Sequence, residues 1–291
     1  MSDFHSISHL CAAAQEENVP ISVIVLRDQA HNMEQSEEEL YALMLERLNI
    51  MRQSVHSGME PGLRSTSGLT GGDGAKMQAY AQTGGITGTF LNGAMARAIA
   101  VAEYNAAMGR IVAAPTAGSC GILPGTLISM LEEGLCDEKA AVMALFTAGG
   151  IGMVIAENAS VSGAQGGCQA ECGSAAAMAA AALVELRGGT PQQCAHACAI
   201  AIKNQLGLVC DPVAGLVEIP CIKRNVGGVV TAFSSAEMAL AGIESKIPAD
   251  ECIQAMRSVG DSLPCALKET AQGGLAATPT GLKMKQQVFG T

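Results

Sequence analysis

Apolar residues recur at helical spacing along most of the chain, and the strict alternation typical of half-buried strands is nearly absent. The clearest case follows Ser36, where glutamates precede apolar residues that share one helix face: Leu40, Leu43, Met44, Leu48 and Met51. A serine hydroxyl followed by carboxylates stabilises a helix start, because both satisfy or complement free backbone N–H groups. This pattern predicts a helix that begins after Ser36 and ends near Gly58.

The same spacing predicts a series of further helices, and Asp137 and Thr190-Pro191 are start signals for two of them. The predicted ranges are 90–108, 126–134, 138–157, 169–187, 191–205, 227–244, 249–259 and 264–271. One short apolar run, 21–26, is compatible with either a strand or a helix start. The whole pattern predicts an all-α fold, built as a single mostly helical domain over residues 1–291.

Two long segments, 58–89 and 109–125, interrupt the helical pattern and are rich in glycine, serine, threonine and proline. Loops of this length inside a compact domain are usually functional. We therefore expect these glycine-rich loops to converge on one site. Their candidate ligand-binding side chains are Thr70, Asp73, Lys76, Thr116 and Ser119.

Composition narrows the class of protein. Hydrophobic residues make up 49% of the chain and charged residues 15%, which favours a large buried core over a disordered chain. The longest uncharged run, 140–156, is shorter than the ~20 residues of a membrane span, so we interpret it as a buried central helix. The net charge of −10, without an extended basic patch, argues against a nucleic-acid partner.

Eleven cysteines are many for a chain whose start shows no basic segment and no apolar run of a signal peptide. We therefore expect a cytoplasmic protein with reduced thiols. Three of them, Cys168, Cys210 and Cys221, sit beside glycine or proline, as turn-borne metal ligands do. Their spacing matches no compact zinc-finger or ferredoxin pattern, so the residues alone leave metal ligands and small core residues both open.

The remaining cysteines carry a weaker signal. Cys172, Cys194 and Cys198 lie at helical spacing in alanine-rich segments, which is typical of small core residues. Cys120 lies in the second glycine-rich loop and is a further candidate to line a site.

Three stretches together resemble one family over nearly the whole chain. They are Ser67–Lys76 (SGLTGGDGAK), Ala114–Gly125 (APTAGSCGILPG) and Cys210–Cys221 (CDPVAGLVEIPC). They are similar to the α, or catalytic, part of the iron–sulfur-dependent bacterial L-serine dehydratases. The resemblance implies that Cys168, Cys210 and Cys221 ligate a [4Fe–4S] cluster. It also implies a separate β subunit, in a heterodimer or higher assembly, because this chain matches only the α part.

The implied reaction converts L-serine to pyruvate and ammonia. An iron with an open position would bind the serine hydroxyl as a Lewis acid, and a base would remove the Cα proton. The resemblance implies oxygen sensitivity but does not identify the base, since the five histidines lie outside the three motifs. We expect Asp73 to hold the substrate ammonium and Lys76 its carboxylate. Further polar residues that could line the cavity are Asn158, Lys203, Asn204, Arg224 and Asn225.

Three alternatives remain at this level. L-cysteine desulfidation could run on the same cluster, because a thiol also suits an open iron. A pyridoxal-phosphate deaminase would need a Schiff-base lysine beside a phosphate-binding glycine loop, which Gly72–Lys76 imitates. A structural zinc protein would need four closed ligands. The similarity to dehydratases favours L-serine.

Overall fold

The computed structural model describes residues 4–290, and in that part of the chain it contains thirteen α-helices and no strand. The only strand-like pairing in this range is an isolated bridge between Cys210 and Lys268. The predicted all-α fold is confirmed. Residues 1–3, which belong to the segment where we expect no signal peptide, lie outside the described residues, as does Thr291.

The helices follow the chain in this order: α1 (Ile7–Glu16), α2 (Ile21–Met33), α3 (Glu37–Gly58), α4 (Asp73–Ala81), α5 (Gly88–Ala106), α6 (Ile122–Glu132), α7 (Glu138–Asn158), α8 (Gly163–Gly166), α9 (Ser174–Leu186), α10 (Pro191–Gln205), α11 (Cys221–Leu240), α12 (Ala249–Ser262) and α13 (Pro279–Phe289). A π-helical turn, Gln169–Gly173, leads directly into α9.

Local capping signals in the sequence account for several helix starts. Ser36 and Glu39 form the reciprocal capping box of α3, and Thr190 and Gln193 form that of α10. The Asp137 side chain accepts a hydrogen bond from Ala140 N at the start of α7. These predicted starts are therefore confirmed, because the capping groups lie within one turn of the N–H groups that they satisfy.

Helix α9 lies at the centre of the fold and packs against α7, α10 and α11. Every residue from Ser174 to Val184 is buried, and most of them are alanine, so neighbouring helices approach closely. Helix α7 is long and apolar enough to cross a membrane by length and composition, yet 67% of its apolar window is buried inside the protein. That burial fits the interpretation of a core helix.

The first glycine-rich segment differs from the prediction of an uninterrupted loop, because it contains α4. Gly71 and Gly72 precede this helix with positive φ, at 133° and 79°. The Oε1 and Oε2 atoms of buried Glu103, on α5, accept hydrogen bonds from Asp73 N (3.1 Å) and Gly74 N (3.0 Å). The carboxylate thus caps α4 from another helix, a signal that no local pattern contains.

The C-terminal region also differs from the prediction. The helix expected at 264–271 is wrong: the structure has a single 3₁₀ turn at 265–267, and the backbone then takes positive φ at Glu269 and Ala271. Helix α11 begins earlier than expected, at Cys221, and α1 and α13 form where the sequence indicated no helix. The ambiguous run 21–26 lies within α2.

Replacement of Glu103 by alanine is expected to lower the free energy of unfolding by about 2 kcal/mol, because two buried N–H groups lose their acceptor. Urea unfolding monitored by circular dichroism measures this. Glu237→Ala, at an exposed position of α11, is the matched control and should change stability by less than about 0.5 kcal/mol. Equal effects of the two substitutions would contradict the capping role.

Candidate active site

The three turn-borne cysteines come together at one place in the fold. Cys168 immediately precedes the π-helical turn, Cys210 lies in the loop after α10, and Cys221 is the first residue of α11. Their exposed fractions are 3%, 4% and 9%. The pKa of Cys210 is raised by burial and by the nearby Glu171 and thiols. The pKa of Cys221 is raised to about 12 by burial and by the nearby Cys168 and Glu171. Residues far apart in sequence therefore form one electrostatically coupled group.

A fourth buried cysteine belongs to this group. Cys172 Sγ lies 3.4 Å from Cys168 Sγ, across the π-helical turn. The hydrogen bond between these two sulfurs, together with the positive charge of Arg224, holds the pKa of Cys168 below its usual range despite burial. Cys120 is also buried, and burial raises its pKa to about 12, with Cys221 nearby. The sequence indicated a core role for Cys172, and the structure adds its contact with Cys168.

Arg224 joins the segments that carry these thiols. It lies one turn after Cys221 on α11, and its Nη1 donates to Val209 O at 2.7 Å. Its Nη2 donates to Asp211 Oδ1 at 2.8 Å. The second oxygen of Asp211 accepts a hydrogen bond from Leu275 N at 2.7 Å. The buried ion pair therefore fixes the loop of Cys210 against the helix of Cys221.

Asn225 joins the second glycine-rich loop to the same helix. Its Nδ2 donates to Gly118 O at 2.8 Å and to Cys221 O at 2.9 Å. Its Oδ1 accepts a hydrogen bond from Gly121 N at 2.8 Å. The loop that contains Thr116 and Ser119 is thus held next to Cys221.

Glu171 is a site residue that the sequence interpretation missed. It lies within the π-helical turn, three residues after Cys168, and its Oε1 accepts a hydrogen bond from Thr116 Oγ1 at 2.9 Å. Its Oε2 lies 4.0 Å from Cys210 Sγ. Burial raises the pKa of this carboxyl group. The motif Cys168-Gln-Ala-Glu171 places a carboxylate beside the thiol, but its burial depends on the packed loops.

Two glycines let the backbone approach Glu171 closely. A methyl group built on Gly163 would lie 2.7 Å from Glu171 Oε2 and 2.9 Å from Cys210 Sγ. One built on Gly118 would lie 3.1 Å from Glu171 Oε1. Neither glycine has a positive φ, so the backbone conformation alone does not require glycine at these positions. The requirement is steric: a side chain there would clash with the carboxylate or the thiol.

The predicted substrate residues fall into two groups. Thr116 and Ser119 lie together near Glu171, with their hydroxyl oxygens 3.3 Å apart. Thr70, Asp73 and Lys76 line a separate cavity of about 590 Å³ that is also lined by Pro220, next to Cys221. Both groups adjoin the segment that carries the thiols. Their roles in substrate binding stay predictions.

Most polar side chains of the cavity next to Pro220 already have hydrogen-bond partners within the protein. Thr70 Oγ1 donates to Glu218 Oε2 at 2.6 Å. Asp73 accepts hydrogen bonds from Lys223 at 2.6 Å and Lys76 at 3.0 Å, and these two lysines hold its pKa below the usual range. The negative charge of Asp73 is therefore matched within the protein.

Two other polar residues named in the sequence analysis form hydrogen bonds away from the thiols. Asn158 Nδ2 donates to the carbonyls of His5 and Val154, and Lys203 Nζ donates to Ser245 Oγ. Arg224 and Asn225 are the members of that set whose hydrogen bonds build the site.

Within residues 4–290, no three His, Cys, Asp or Glu side chains are close enough together to hold a single metal ion. The donor set nevertheless fits an iron–sulfur cluster, because thiolates are its usual ligands and each one binds a different iron.

Comparison with known proteins gives a consistent result. The family model described as "Serine dehydratase alpha chain" matches residues 16–276. The chain is 50% identical over 288 residues to the "Probable L-serine dehydratase, alpha chain" of Bacillus subtilis (strain 168), covering 99% of this chain and 96% of that one. It is 46% identical over 272 residues to the "L-serine dehydratase, alpha chain" of Peptoniphilus asaccharolyticus, covering 93% of each chain.

A longer relative has a different organisation. The "L-serine dehydratase" of Streptomyces coelicolor (strain ATCC BAA-471 / A3(2) / M145) is 39% identical over 281 residues, which cover 94% of this chain but 60% of the relative. The region shared with that protein is therefore only part of its length.

Replacement of Arg224 by methionine is expected to lower the free energy of unfolding by about 3–5 kcal/mol, because it leaves the buried Asp211 carboxylate unpaired. Urea titration measures the loss. Arg110→Met is the matched control, since Arg110 pairs with Glu46 at the exposed surface and should contribute less than about 1 kcal/mol. Similar losses for both variants would contradict the structural role of the buried pair.

Proposed function

The chain belongs to the serine dehydratase alpha chain family, and on that premise we propose that it converts L-serine to pyruvate and ammonia. The observation that carries the proposal is the placement of buried Cys168, Cys210 and Cys221 on adjoining segments, which are joined by Arg224 and by the hydrogen bond from Gln169 N to Leu208 O, with Glu171 beside Cys210. Near-full-length similarity to proteins named as L-serine dehydratase alpha chains supports the choice of substrate.

In the proposed enzyme, Cys168, Cys210 and Cys221 hold a [4Fe–4S] cluster. The cluster supplies an iron with an open position, which acts as a Lewis acid toward the substrate hydroxyl. Cys221 begins α11, so its sulfur lies at the positive end of the helix dipole. Arg224 adds a positive charge one turn further along. Both features favour negatively charged thiolates in a buried place.

The glycine-rich loops position the substrate. Thr116 and Ser119 present hydroxyl groups next to Glu171, and Asn225 fixes the backbone of their loop against Cys221. Thr70 and Lys76 line the cavity next to Pro220 together with Lys223. A cationic cavity of this kind suits the substrate carboxylate. The low exposure of the thiols excludes most water from the reacting atoms.

A separate β subunit completes the proposed enzyme. The alpha-chain relatives carry a subunit name, and the longer Streptomyces coelicolor relative extends well beyond the shared region. We assign the base that removes the Cα proton to that partner or to its interface with this chain. A cytoplasmic location and inactivation by oxygen belong to the same proposal.

Anaerobic reconstitution with iron and sulfide, with and without a β chain, tests the proposed function. The expected result is pyruvate formed from L-serine, lost by at least about a hundredfold in Cys168→Ser, Cys210→Ser and Cys221→Ser, because each variant lacks one cluster ligand. Cys194→Ser, a buried cysteine of α10, is the matched control and should retain iron and activity. Turnover of L-cysteine alone would replace dehydration by desulfidation. Failure of the reconstituted protein to bind iron would overturn the proposal of an iron–sulfur cluster.

The close contact of Gly163 with Cys210 gives a second, structural test of the proposed cluster site. Gly163→Ala places a methyl group against Cys210 Sγ and Glu171 Oε2, so the iron and sulfide bound after reconstitution should fall at least about twofold. Helical circular dichroism should stay unchanged. Gly227→Ala, at an exposed position of α11 with no atom within 4 Å of the added methyl group, is the control. Normal iron content in both variants would contradict the proposed site.

A further inference from the structure

We propose that Glu171 binds the ammonium group of the substrate and thereby makes the site selective for 2-amino acids. This inference rests on the proposed function and names one contact of the same site. Four features of the described residues support it: the charge of Glu171, its orientation, its partial exposure and the state of the other acidic candidate.

The Glu171 carboxylate lacks a cationic partner. In the described part of the chain, no lysine, arginine or histidine nitrogen lies within ion-pair distance of its oxygens. The nearby Arg224 is already bound to Asp211 and to Val209 O. A half-buried carboxylate without an ionic partner is unfavourable, so such a group suits a ligand that brings its own positive charge.

One oxygen of Glu171 is fixed and the other is available. Thr116 Oγ1 donates to Oε1 at 2.9 Å, which orients the carboxylate. In the described part of the chain, the hydrogen-bonding contact to Oε2 comes from the Cys210 thiol, at 4.0 Å, and no nitrogen or oxygen donor forms a hydrogen bond to it. An ammonium group has three donors, and a charge-assisted hydrogen bond to Oε2 would use the acceptor that the protein leaves open.

The Glu171 side chain is half-buried, so its carboxylate is not sealed off from a ligand. Glycine at positions 118 and 163 lets two backbone segments approach it, because a Cβ atom there would lie 3.1 Å and 2.7 Å from its oxygens. The exposed side of the carboxylate can therefore meet a small cationic group close to Cys210.

The other acidic candidate is less suited to this role. Asp73 already accepts hydrogen bonds from Lys76 and Lys223 and is part of a cavity that is mainly cationic. An incoming ammonium group would have to displace a lysine there. At Glu171 it meets an unmatched charge, so the geometry assigns the ammonium to Glu171 and the carboxylate to the lysine side.

The test compares L-alanine with propanoate as ligands of the reconstituted α–β enzyme. These compounds differ only in the ammonium group, and neither has a leaving group at Cβ. Anaerobic calorimetry gives both dissociation constants without turnover. The wild-type protein should bind L-alanine at least about tenfold more tightly than propanoate, the size of one charge-assisted hydrogen bond. In Glu171→Gln that ratio should fall to within about threefold.

Matched variants separate charge from structure. Glu185→Gln removes another buried carboxylate, which accepts a hydrogen bond from Thr147 on α7, and should keep the wild-type ratio. Glu171→Asp retains the charge and should keep a preference for L-alanine even where Glu171→Gln folds poorly. Iron content and circular dichroism are recorded for each variant.

The outcomes distinguish this inference from the proposed function. Pyruvate formation by the wild type, together with an unchanged L-alanine preference in Glu171→Gln, overturns the role of Glu171 and leaves the dehydratase standing. The wild type could instead bind L-alanine more tightly than propanoate, lose this preference in Glu171→Gln and form no pyruvate from L-serine. That result would support the ammonium site and overturn the proposed dehydratase activity. Equal binding of both ligands by the wild type overturns the inference.

Discussion

The buried pair of Arg224 and Asp211 is the interaction on which the arrangement of the site depends. Cys210 precedes Asp211 in a loop, and Cys221 lies one turn before Arg224 on α11. The pair joins two backbone segments that contribute thiols, and Arg224 adds a hydrogen bond to Val209 O. Asn225 extends the same fixation to the loop of Thr116. Because the pair is buried, breaking it is energetically costly, and it therefore helps to keep Cys210 and Cys221 in fixed relative positions.

Small residues make this arrangement possible. The alanines of α9 allow the central helices to pack closely, and the glycines beside Glu171 allow the backbone to approach its carboxylate. The π-helical turn between Cys168 and α9 widens the helix at the point where Cys168, Glu171 and Cys172 come together. Such turns are frequent at functional sites, since an extra residue redirects side chains without ending the helix.

The site has two sides of different charge. Lysines dominate the cavity next to Pro220, whereas an unpaired carboxylate lies beside Cys210. A zwitterionic amino acid carries both complementary charges on one carbon atom. A site with a cationic and an anionic surface, each next to a segment that carries a thiol, would therefore orient such a substrate, and this is why the two proposals fit one another.

Local signals along the chain were enough to predict the all-α class, the helices with local caps and the glycine-rich loops, because helical periodicity and capping act between residues a few positions apart. The start of α4, which Glu103 caps from α5, and the absence of a helix at 264–271 depend on tertiary packing. Tertiary packing also decided that Asp73 is paired with lysines while Glu171 is not. Charge matching and burial depend on which distant segments pack together, and the spacing of residues along the chain does not contain that information.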